Sequence, residues 1–314
     1  IEACLVGSEM CIRDSLRGFH HFCPLRFFTF PVGLSLAIDG NVGCLGRKGM
    51  DESRRTILGE LAVMLSASWR DPANPVRVDP RFYPRDRAEA YFVQDRMHDE
   101  LDQGLAGWKV GATSARMREL DGHDDVIPGR IFASRSYIGP RHNLPIDQFP
   151  GARVETEFAF RLTASPYLRE APWTAAEIET MMVLHPAIEI IGNRHRIEGA
   201  SRSENSLMTI ADNGGGIGFV FGDPVEDWRA IDFRHHLITL TVGGGAPADN
   251  FLGEMRCLPV NAAAELVNHL AERGHEMQAG DFISTGAASV PQSFSAGDHV
   301  RADFGALGII EVAF

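Results

Sequence analysis

The order of apolar and polar residues predicts a chain that starts with helices and continues mainly as short strands. Apolar residues recur at helical spacing in "DESRRTILGELAVMLSASW", and a second helix is predicted at roughly 86–101, after a connector rich in proline. Beyond Gly104 the chain changes to apolar runs punctuated by glycine. These runs predict strands at 107–112, 153–162, 187–191, 217–222, 237–242, 281–285 and 299–313.

Two further helices interrupt these strands. Thr174 and Glu177 form a capping-box pattern at the start of the first one. Asn261 is predicted to cap the second helix and Gly274 to end it. Because strands and a few helices are mixed irregularly, the pattern predicts an α+β fold rather than a doubly wound parallel sheet.

The first 49 residues are expected to be foreign to the folded protein. Four of the five cysteines lie before Met50, and "CLVGSEMCIRDS" at 4–15 resembles translated sequencing-adapter sequence. A small disulfide module and a secretory signal are the alternatives. We therefore expect a non-native leader over 1–49, a helical segment over 50–105 and a strand-rich domain over 106–314.

Composition narrows the class of protein. The net charge of −12 argues against a nucleic acid or an anionic membrane surface as partner. No apolar run approaches the ~18 residues that a membrane-spanning helix needs. A single cysteine after Met50 fits a reducing compartment, so we expect a cytoplasmic protein.

Three glutamates are candidates for a metal site. Glu155 and Glu157 share one side of the alternating strand "RVETEFAFRL", and Glu189 interrupts an apolar strand further along the chain. The alternatives are a solvated strand face for the first two, and an ion pair with Arg194 or Arg196 for the third. If the three side chains converge, their mutual repulsion requires protons or a cation, and oxygen ligands suit Mg²⁺ or Mn²⁺.

Lysine usage gives a second signal. From Met50 onward the chain has 24 arginines and one lysine, Lys109, in "GWKVGATS". A lysine amine can exchange a proton, whereas a guanidinium effectively cannot, so this lysine is a candidate for proton transfer. The alternative is a surface lysine without a function. The glycine-rich stretch "NGGGIGFVFG" does not fit a dinucleotide-binding pattern at any offset, which argues against nucleotide binding.

Five motifs in order carry a family resemblance: "GWKVGATS", "ARVETEFAF", "HPAIEIIGNR", "IADNGG" and "AGDFISTGA". From about residue 54 onward the chain resembles the 2-oxopent-4-enoate hydratase and 4-oxalocrotonate decarboxylase family of the fumarylacetoacetate hydrolase superfamily. The resemblance implies a mixed β-sheet roll behind an N-terminal helical segment. It also implies site residues: metal ligands Glu155, Glu157 and Glu189; catalytic residues Lys109 and Asp124, with Asp125 as the alternative to Asp124; and pocket residues Arg194, Asp212, Asn213, Thr285 and Gly286.

The resemblance further implies a function. We expect a metal-dependent hydro-lyase that hydrates 2-hydroxypenta-2,4-dienoate, the enol of 2-oxopent-4-enoate, or a close analogue in the catabolism of aromatic compounds. A 4-oxalocrotonate-type decarboxylase and an acylpyruvate hydrolase are the enzymatic alternatives, although a His/Glu pair for hydrolysis is not obvious near 107–140 apart from His123. A non-catalytic metal-binding partner subunit is the alternative of another class. Homo-oligomers are expected.

Overall fold

A computed structural model describes residues 50–314 of the chain. The predicted leader over 1–49, with Cys4, Cys11, Cys23 and Cys44, lies outside the described residues. Residues 50–314 lie within one compact unit, so the predicted helical segment packs in the same body as the strands.

Six α-helices occur in the described part of the chain: α1 (Glu52–Arg70), α2 (Arg87–Leu101), α3 (Ala115–Asp121), α4 (Ala175–Glu179), α5 (Arg202–Ala211) and α6 (Pro259–Glu272). Most begin at a polar cap. The Asp51 carboxylate, for example, accepts from the Arg54 amide at the start of α1, and Ser201 and Glu204 form a capping box on α5. A buried ion pair between Arg54 and Glu89, with N and O 2.6 Å apart, joins α1 to α2.

The strands, in chain order, are β1 (Val76–Arg77), β2 (Leu105–Gly111), β3 (Ile127–Phe132), β4 (Ser136–Ile138), β5 (Arg141–Asn143), β6 (Arg153–Leu162), β7 (Met182–Ile191), β8 (His195–Arg196), β9 (Gly216–Phe221), β10 (Thr239–Val242), β11 (Phe282–Ala287), β12 (Gln292–Ser293), β13 (His299–Asp303) and β14 (Ile309–Ala313).

One mixed sheet organises these strands. Its order is β3-β2-β11-β6-β7-β9-β4, and β12 also pairs with β6. Because β3 also approaches β9, the sheet curls on itself as a roll. A second sheet has the order β10-β13-β14-β5, and β1 pairs with β8 in parallel. The α+β fold with a rolled mixed sheet and N-terminal helices is confirmed.

The two faces of β6 meet different surroundings. Val154, Phe158, Phe160 and Leu162 point into the large apolar core, together with most buried residues of the helices. Ala159, on the opposite face, packs inside the roll in a small cluster with Ile131, Ala187, Phe219, Phe221 and Phe282. The predicted alternation therefore places the residues of the glutamates' parity inside the roll, above this cluster.

The observed helices and strands confirm three predicted elements and correct two others. The strand 153–162, helix α2 and the Thr174–Glu177 capping box are confirmed. The predicted cap Asn261 is wrong: the helix starts earlier, with Leu258 as N-cap and Pro259 in its first turn, since proline's fixed φ suits that position. The stretch 299–313 is two strands, separated by a turn at Gly305–Leu307. Among the helices of the described residues, none is long and apolar enough to cross a membrane.

Candidate metal centre and active-site cleft

Three glutamates converge inside the roll, as the sequence pattern predicted. Glu155 on β6 and Glu189 on β7 are direct partners across the antiparallel pair, and Glu157 lies two residues further on the same face of β6. One carboxylate oxygen from each residue lies within 4.8 Å of the others. The relative exposures are 8%, 1% and 1% for Glu155, Glu157 and Glu189, so the solvated-face alternative is wrong.

The electrostatics of this trio call for a proton or a cation. The pKa of Glu157 is raised well above its ordinary value. Burial is the largest cause, followed by the negative charge of Glu189, the hydrogen bond between Glu157 and Glu189, and the charge of Glu155. The Ser284 hydroxyl donates to Glu157 and opposes this shift. Within residues 50–314, Oε1 of Glu189 is buried without a hydrogen-bond partner. An orphaned buried carboxylate oxygen among two other carboxylates is what a site for a hard divalent ion would leave.

Lys109 lies beside these glutamates. It is buried on β2, between β3 and β11, with Gly129 and Ser284 as its register partners. Its Nζ is 3.6 Å from Oε1 of Glu189. The alternative of a surface lysine is therefore wrong, and so is the ion pair of Glu189 with an arginine. Arg194 instead donates from Nη2 to the Gln148 carbonyl at 3.0 Å.

The glycine-rich stretch makes room for the lysine and one glutamate. A Cβ at Gly214 would lie 2.8 Å from the Lys109 Cε, and one at Gly216 would overlap Glu189 Oε1. Gly129, on the neighbouring strand, is also close, with its Cβ position 3.2 Å from the Lys109 Cε. Gly214 has a φ of +70°, which side-chain-bearing residues rarely adopt. The glycines of "NGGGIGFVFG" therefore allow Lys109 and Glu189 to pack closely against the backbone. This role does not require the nucleotide-binding pattern that the stretch lacks.

A cleft of ≈ 350 Å³ opens onto the three glutamates and Lys109. Apolar side chains line part of it: Met117, Ile191, Phe251, Met255 and Pro291. A second, more polar arm shares Lys109, Glu155 and Arg153 with the first and extends to Asn193, Thr209 and His123. Cys257 lines the first arm, and burial raises the pKa of its thiol to about 11, so it stays a neutral thiol near neutral pH.

The structure does not bring Asp124 to the glutamates. Its carboxylate is largely exposed and pairs with Arg87, with N and O 2.8 Å apart. Asp125, the alternative, accepts from the Val126 amide and lies near Arg118 and His269. His123, from the same loop, does line the polar arm, and its Nδ1 is 2.5 Å from the Ser206 hydroxyl.

Four of the five predicted pocket residues lie behind the cleft rather than in its lining. Asp212 accepts from the Arg194 amide, the His195 ring and the Trp69 indole, at 2.6, 2.7 and 2.9 Å. Asn213 holds the β3 backbone by accepting from the Arg130 amide and donating to its carbonyl.

Thr285 and Gly286 complete the predicted pocket set. The Thr285 hydroxyl donates to the Phe158 carbonyl at 2.6 Å, which ties β11 to β6. Gly286 alone of the five lines the cleft, with a φ of +112°.

Sequence reasoning missed two residues at this site, Ser284 and Arg153. Ser284 on β11 contacts Glu157 on β6, and the two residues are 127 positions apart in the chain. No local sequence pattern therefore indicates this contact. Arg153, however, shares the parity of Glu155 and Glu157 on one strand. The alternation that predicted the glutamates on one face could have placed Arg153 beside them.

Comparisons with known proteins relate the chain as a whole to proteins of known activity. No family model matches the chain. A 2-keto-4-pentenoate hydratase of Paraburkholderia phymatum is 28% identical over 234 residues, which cover 73% of this chain and 86% of the relative. A 4-oxalocrotonate decarboxylase of Pseudomonas putida is 23% identical over 231 residues, which cover 72% of this chain and 85% of the relative. The chain resembles the hydratase and decarboxylase family.

A solved structure extends this likeness to the fold. A 4-oxalocrotonate decarboxylase from Pseudomonas putida, complexed with magnesium and adipate, has a TM-score of 0.70 at 20% identity, covering 83% of this chain and 98% of that chain. The resemblance indicated by the five motifs is confirmed, and the fold implied by the hydratase and decarboxylase family is the fold observed.

Proposed function

We propose that the protein is a divalent-metal-dependent hydro-lyase that hydrates 2-hydroxypenta-2,4-dienoate or a close analogue to a 4-hydroxy-2-oxo acid. The observation that carries the proposal is the buried trio of Glu155, Glu157 and Glu189 with the Lys109 amine beside it. The likeness to the 2-keto-4-pentenoate hydratase supports the reaction class.

Glu155, Glu157 and Glu189 would hold Mg²⁺ or Mn²⁺. The metal, when bound, would supply Lewis-acid stabilisation of negative charge on the C2 oxygen of a 2-oxo acid. Ser284 orients Glu157 by donating a hydrogen bond to one of its oxygens. Burial of the three carboxylates and of Lys109 keeps most water away from them, which strengthens the charge interactions among these four side chains.

Lys109 is assigned proton transfer. Net hydration moves the proton of the C2 hydroxyl to C5 and adds the hydroxide and the proton of one water at C4 and C3. The Nζ lines the cleft beside Glu189 and can pass a proton to or from the carbon skeleton as the enol becomes the ketone. The role carried over to Asp124 would require this carboxylate to leave Arg87, so we assign proton transfer to Lys109.

Decarboxylation of a 2-oxo diacid is the second candidate. It would use the same stabilised enolate, with carbon dioxide lost instead of water added. The likeness to a 4-oxalocrotonate decarboxylase favours it as the runner-up. Acylpyruvate hydrolysis would call for a histidine and a glutamate that activate water together. The hydrogen bond that the structure gives His123 is with the Ser206 hydroxyl rather than with a glutamate, so hydrolysis ranks below the other two reactions.

A non-catalytic partner subunit would have no use for a buried lysine at the ligands.

The wider proposals are a role in aromatic catabolism, a cytoplasmic location and a homo-oligomer. The acid substrate would be a small 2-oxo or 2-hydroxydienoic acid, without nucleic acid or membrane partners.

A panel of three substrates tests the reaction. The full chain with Mg²⁺ is offered 2-hydroxypentadienoate, 4-oxalocrotonate and an acylpyruvate, and the loss of ultraviolet absorbance is followed with product identification. Formation of a 4-hydroxy-2-oxo acid that requires Mg²⁺ supports the proposal. Carbon dioxide without a hydrated product, or cleavage of the acylpyruvate, would replace it with one of the alternatives.

A further inference from the structure

A positively charged side chain at the rim of the cleft has no role in the proposed reaction. Arg153 begins β6, two residues before Glu155 and on the same face of the strand. It is exposed, and it lines both the apolar arm and the polar arm of the cleft. Arg153 and Lys109 are the two cationic residues that these arms share.

The guanidinium of Arg153 is exposed and has no hydrogen-bond or ion-pair partner in the part of the chain that the structure describes. Lys109 already faces Glu189, and most arginines near the site have assigned partners: Arg194 donates to the Gln148 carbonyl and Arg130 pairs with Asp95. Arg153, in contrast, makes no side-chain hydrogen bond and no ion pair with residues 50–314. A fork of unpaired N–H donors at a cleft mouth fits a planar carboxylate, which it can bind through two parallel hydrogen bonds.

The spacing along β6, together with the reach of the flexible Arg153 side chain, is compatible with a six- or seven-carbon acid. Two residues of a strand advance about 6.6 Å, which separates the Cα atoms of Arg153 and Glu155. In a six- or seven-carbon 2-oxo dicarboxylate, the C2 oxygen at the glutamates and the distal carboxylate are a comparable distance apart, since each bond of an extended chain advances about 1.3 Å. A five-carbon monocarboxylate ends in carbon and presents nothing to the guanidinium.

We propose that Arg153 is a specificity-determining residue that pairs with the distal carboxylate of a 2-oxo dicarboxylate, making such diacids the preferred substrate class of the cleft. This rests on the proposed function, in which the 2-oxo acid end binds at the three glutamates. The tail would then run along the rim toward Arg153, and Asn193 and Thr209 in the polar arm offer further hydrogen-bonding groups. A hydrated diacid would then be one of the close analogues of 2-hydroxypenta-2,4-dienoate that the proposed function includes.

A binding experiment separates this inference from turnover. The full chain loaded with Mn²⁺ is titrated calorimetrically with 2-oxoadipate and with 2-oxohexanoate, two saturated acids of equal chain length that differ in the distal carboxylate. We expect 2-oxoadipate to bind about tenfold more tightly, the effect of one charge-assisted hydrogen-bonded pair at a partly exposed position. Arg153→Met is expected to remove this preference by weakening 2-oxoadipate alone, and Arg153→Lys to keep part of it.

The control variant is Arg196→Met, which removes an exposed arginine outside the cleft lining. It is expected to leave both affinities unchanged, so that a loss of net charge is distinguished from a loss of contact. Equal binding of the two acids by the unchanged protein would overturn the inference and leave the proposed function standing. The inference also fails if Arg153→Met weakens both acids equally, because the guanidinium would then act on the shared 2-oxo acid end. Failure of both acids to bind the Mn²⁺-loaded protein would overturn the inference and the proposed function together.

Discussion

Glu155 and Glu189 are direct partners across the antiparallel pair of β6 and β7, and both carboxylates point into the roll. Like charges placed opposite each other destabilise a sheet, so this pairing needs a compensating cation or a proton. Lys109 supplies part of that charge from β2. One lysine cannot balance three carboxylates, Glu155, Glu157 and Glu189. This excess of negative charge is the basis of the metal assignment.

Removing one carboxylate charge is expected to weaken metal binding. Glu157→Gln keeps the size of the side chain but offers a neutral oxygen, and we expect Mn²⁺ affinity to fall about 100-fold, since even outer partners of metal ligands cost 10- to 100-fold. Titration of Mn²⁺ followed by its electron paramagnetic resonance signal measures this. Glu311→Gln is the matched control, because the Glu311 side chain on β14 is partly exposed and pairs with Arg141 away from the cleft. An unchanged affinity in the Glu157 variant would remove this residue from the ligand set.

Lys109→Arg is expected to separate charge from proton transfer. The arginine keeps a cation near Glu189 but effectively cannot give up its proton, so kcat should fall about 10²- to 10⁴-fold while Mn²⁺ still binds. Steady-state kinetics and the Mn²⁺ titration are measured on the same preparation. Retention of more than a tenth of the activity would show that the residue acts by its charge alone.

The parts of the site that sequence could predict are those that follow one strand or one motif. Alternation on β6 placed Glu155 and Glu157 on one face, and burial of β7 marked Glu189 as unusual. Ser284 could not be found this way, because its contact with Glu157 depends on the register of β11 against β6. Sheet register is set by the whole packing arrangement, which no local window contains.

Gly214 is expected to be required because of the space it leaves for the lysine. Gly214→Ala forces a methyl group to within 2.8 Å of the Lys109 Cε, whereas Gly199→Ala at a similar φ of +67° has no atom within 4 Å. Both variants carry the strain of a left-handed conformation, about 1–2 kcal/mol. We expect activity to fall at least tenfold in the first variant and less than twofold in the second. Equal activities would show that the stretch tolerates a displaced lysine.

The raised pKa of Glu157 gives a pH dependence with a definite sign. A carboxyl whose pKa in the folded state lies above its unfolded value of about 4.3 stabilises the fold below that value, and this contribution is lost as pH rises through the folded pKa. The Tm of the chelator-treated protein, taken relative to that of Glu157→Gln, is therefore expected to decline between pH 5 and pH 8.

Added metal should reverse this trend, because an ion needs deprotonated ligands. We expect Mn²⁺ to raise Tm more at pH 8 than at pH 5 in the unchanged protein, and less in Glu157→Gln. Differential scanning calorimetry at both pH values measures the two effects. A Tm difference between the two proteins that does not change with pH would contradict the assigned shift.

Fold prediction reached its limits at element boundaries and at irregular connections. The helices and the central strands followed from periodicity, but α6 begins at Pro259 rather than after Asn261, because proline at the first turn outweighs an asparagine cap. Similarly, Asp124 followed from a motif, yet the structure pairs it with Arg87 on the surface. Loop residues take positions set by the elements they join, which sequence similarity in a short motif does not fix.

Anomalous scattering from crystals of the protein grown with Mn²⁺ would locate the ion itself and so decide the metal assignment. We predict one strong anomalous peak inside the roll, within about 2.2 Å of an oxygen from each of Glu155, Glu157 and Glu189. A peak elsewhere, or crystals in which these three carboxylates stay together without Mn²⁺ at saturating concentration, would contradict the assignment.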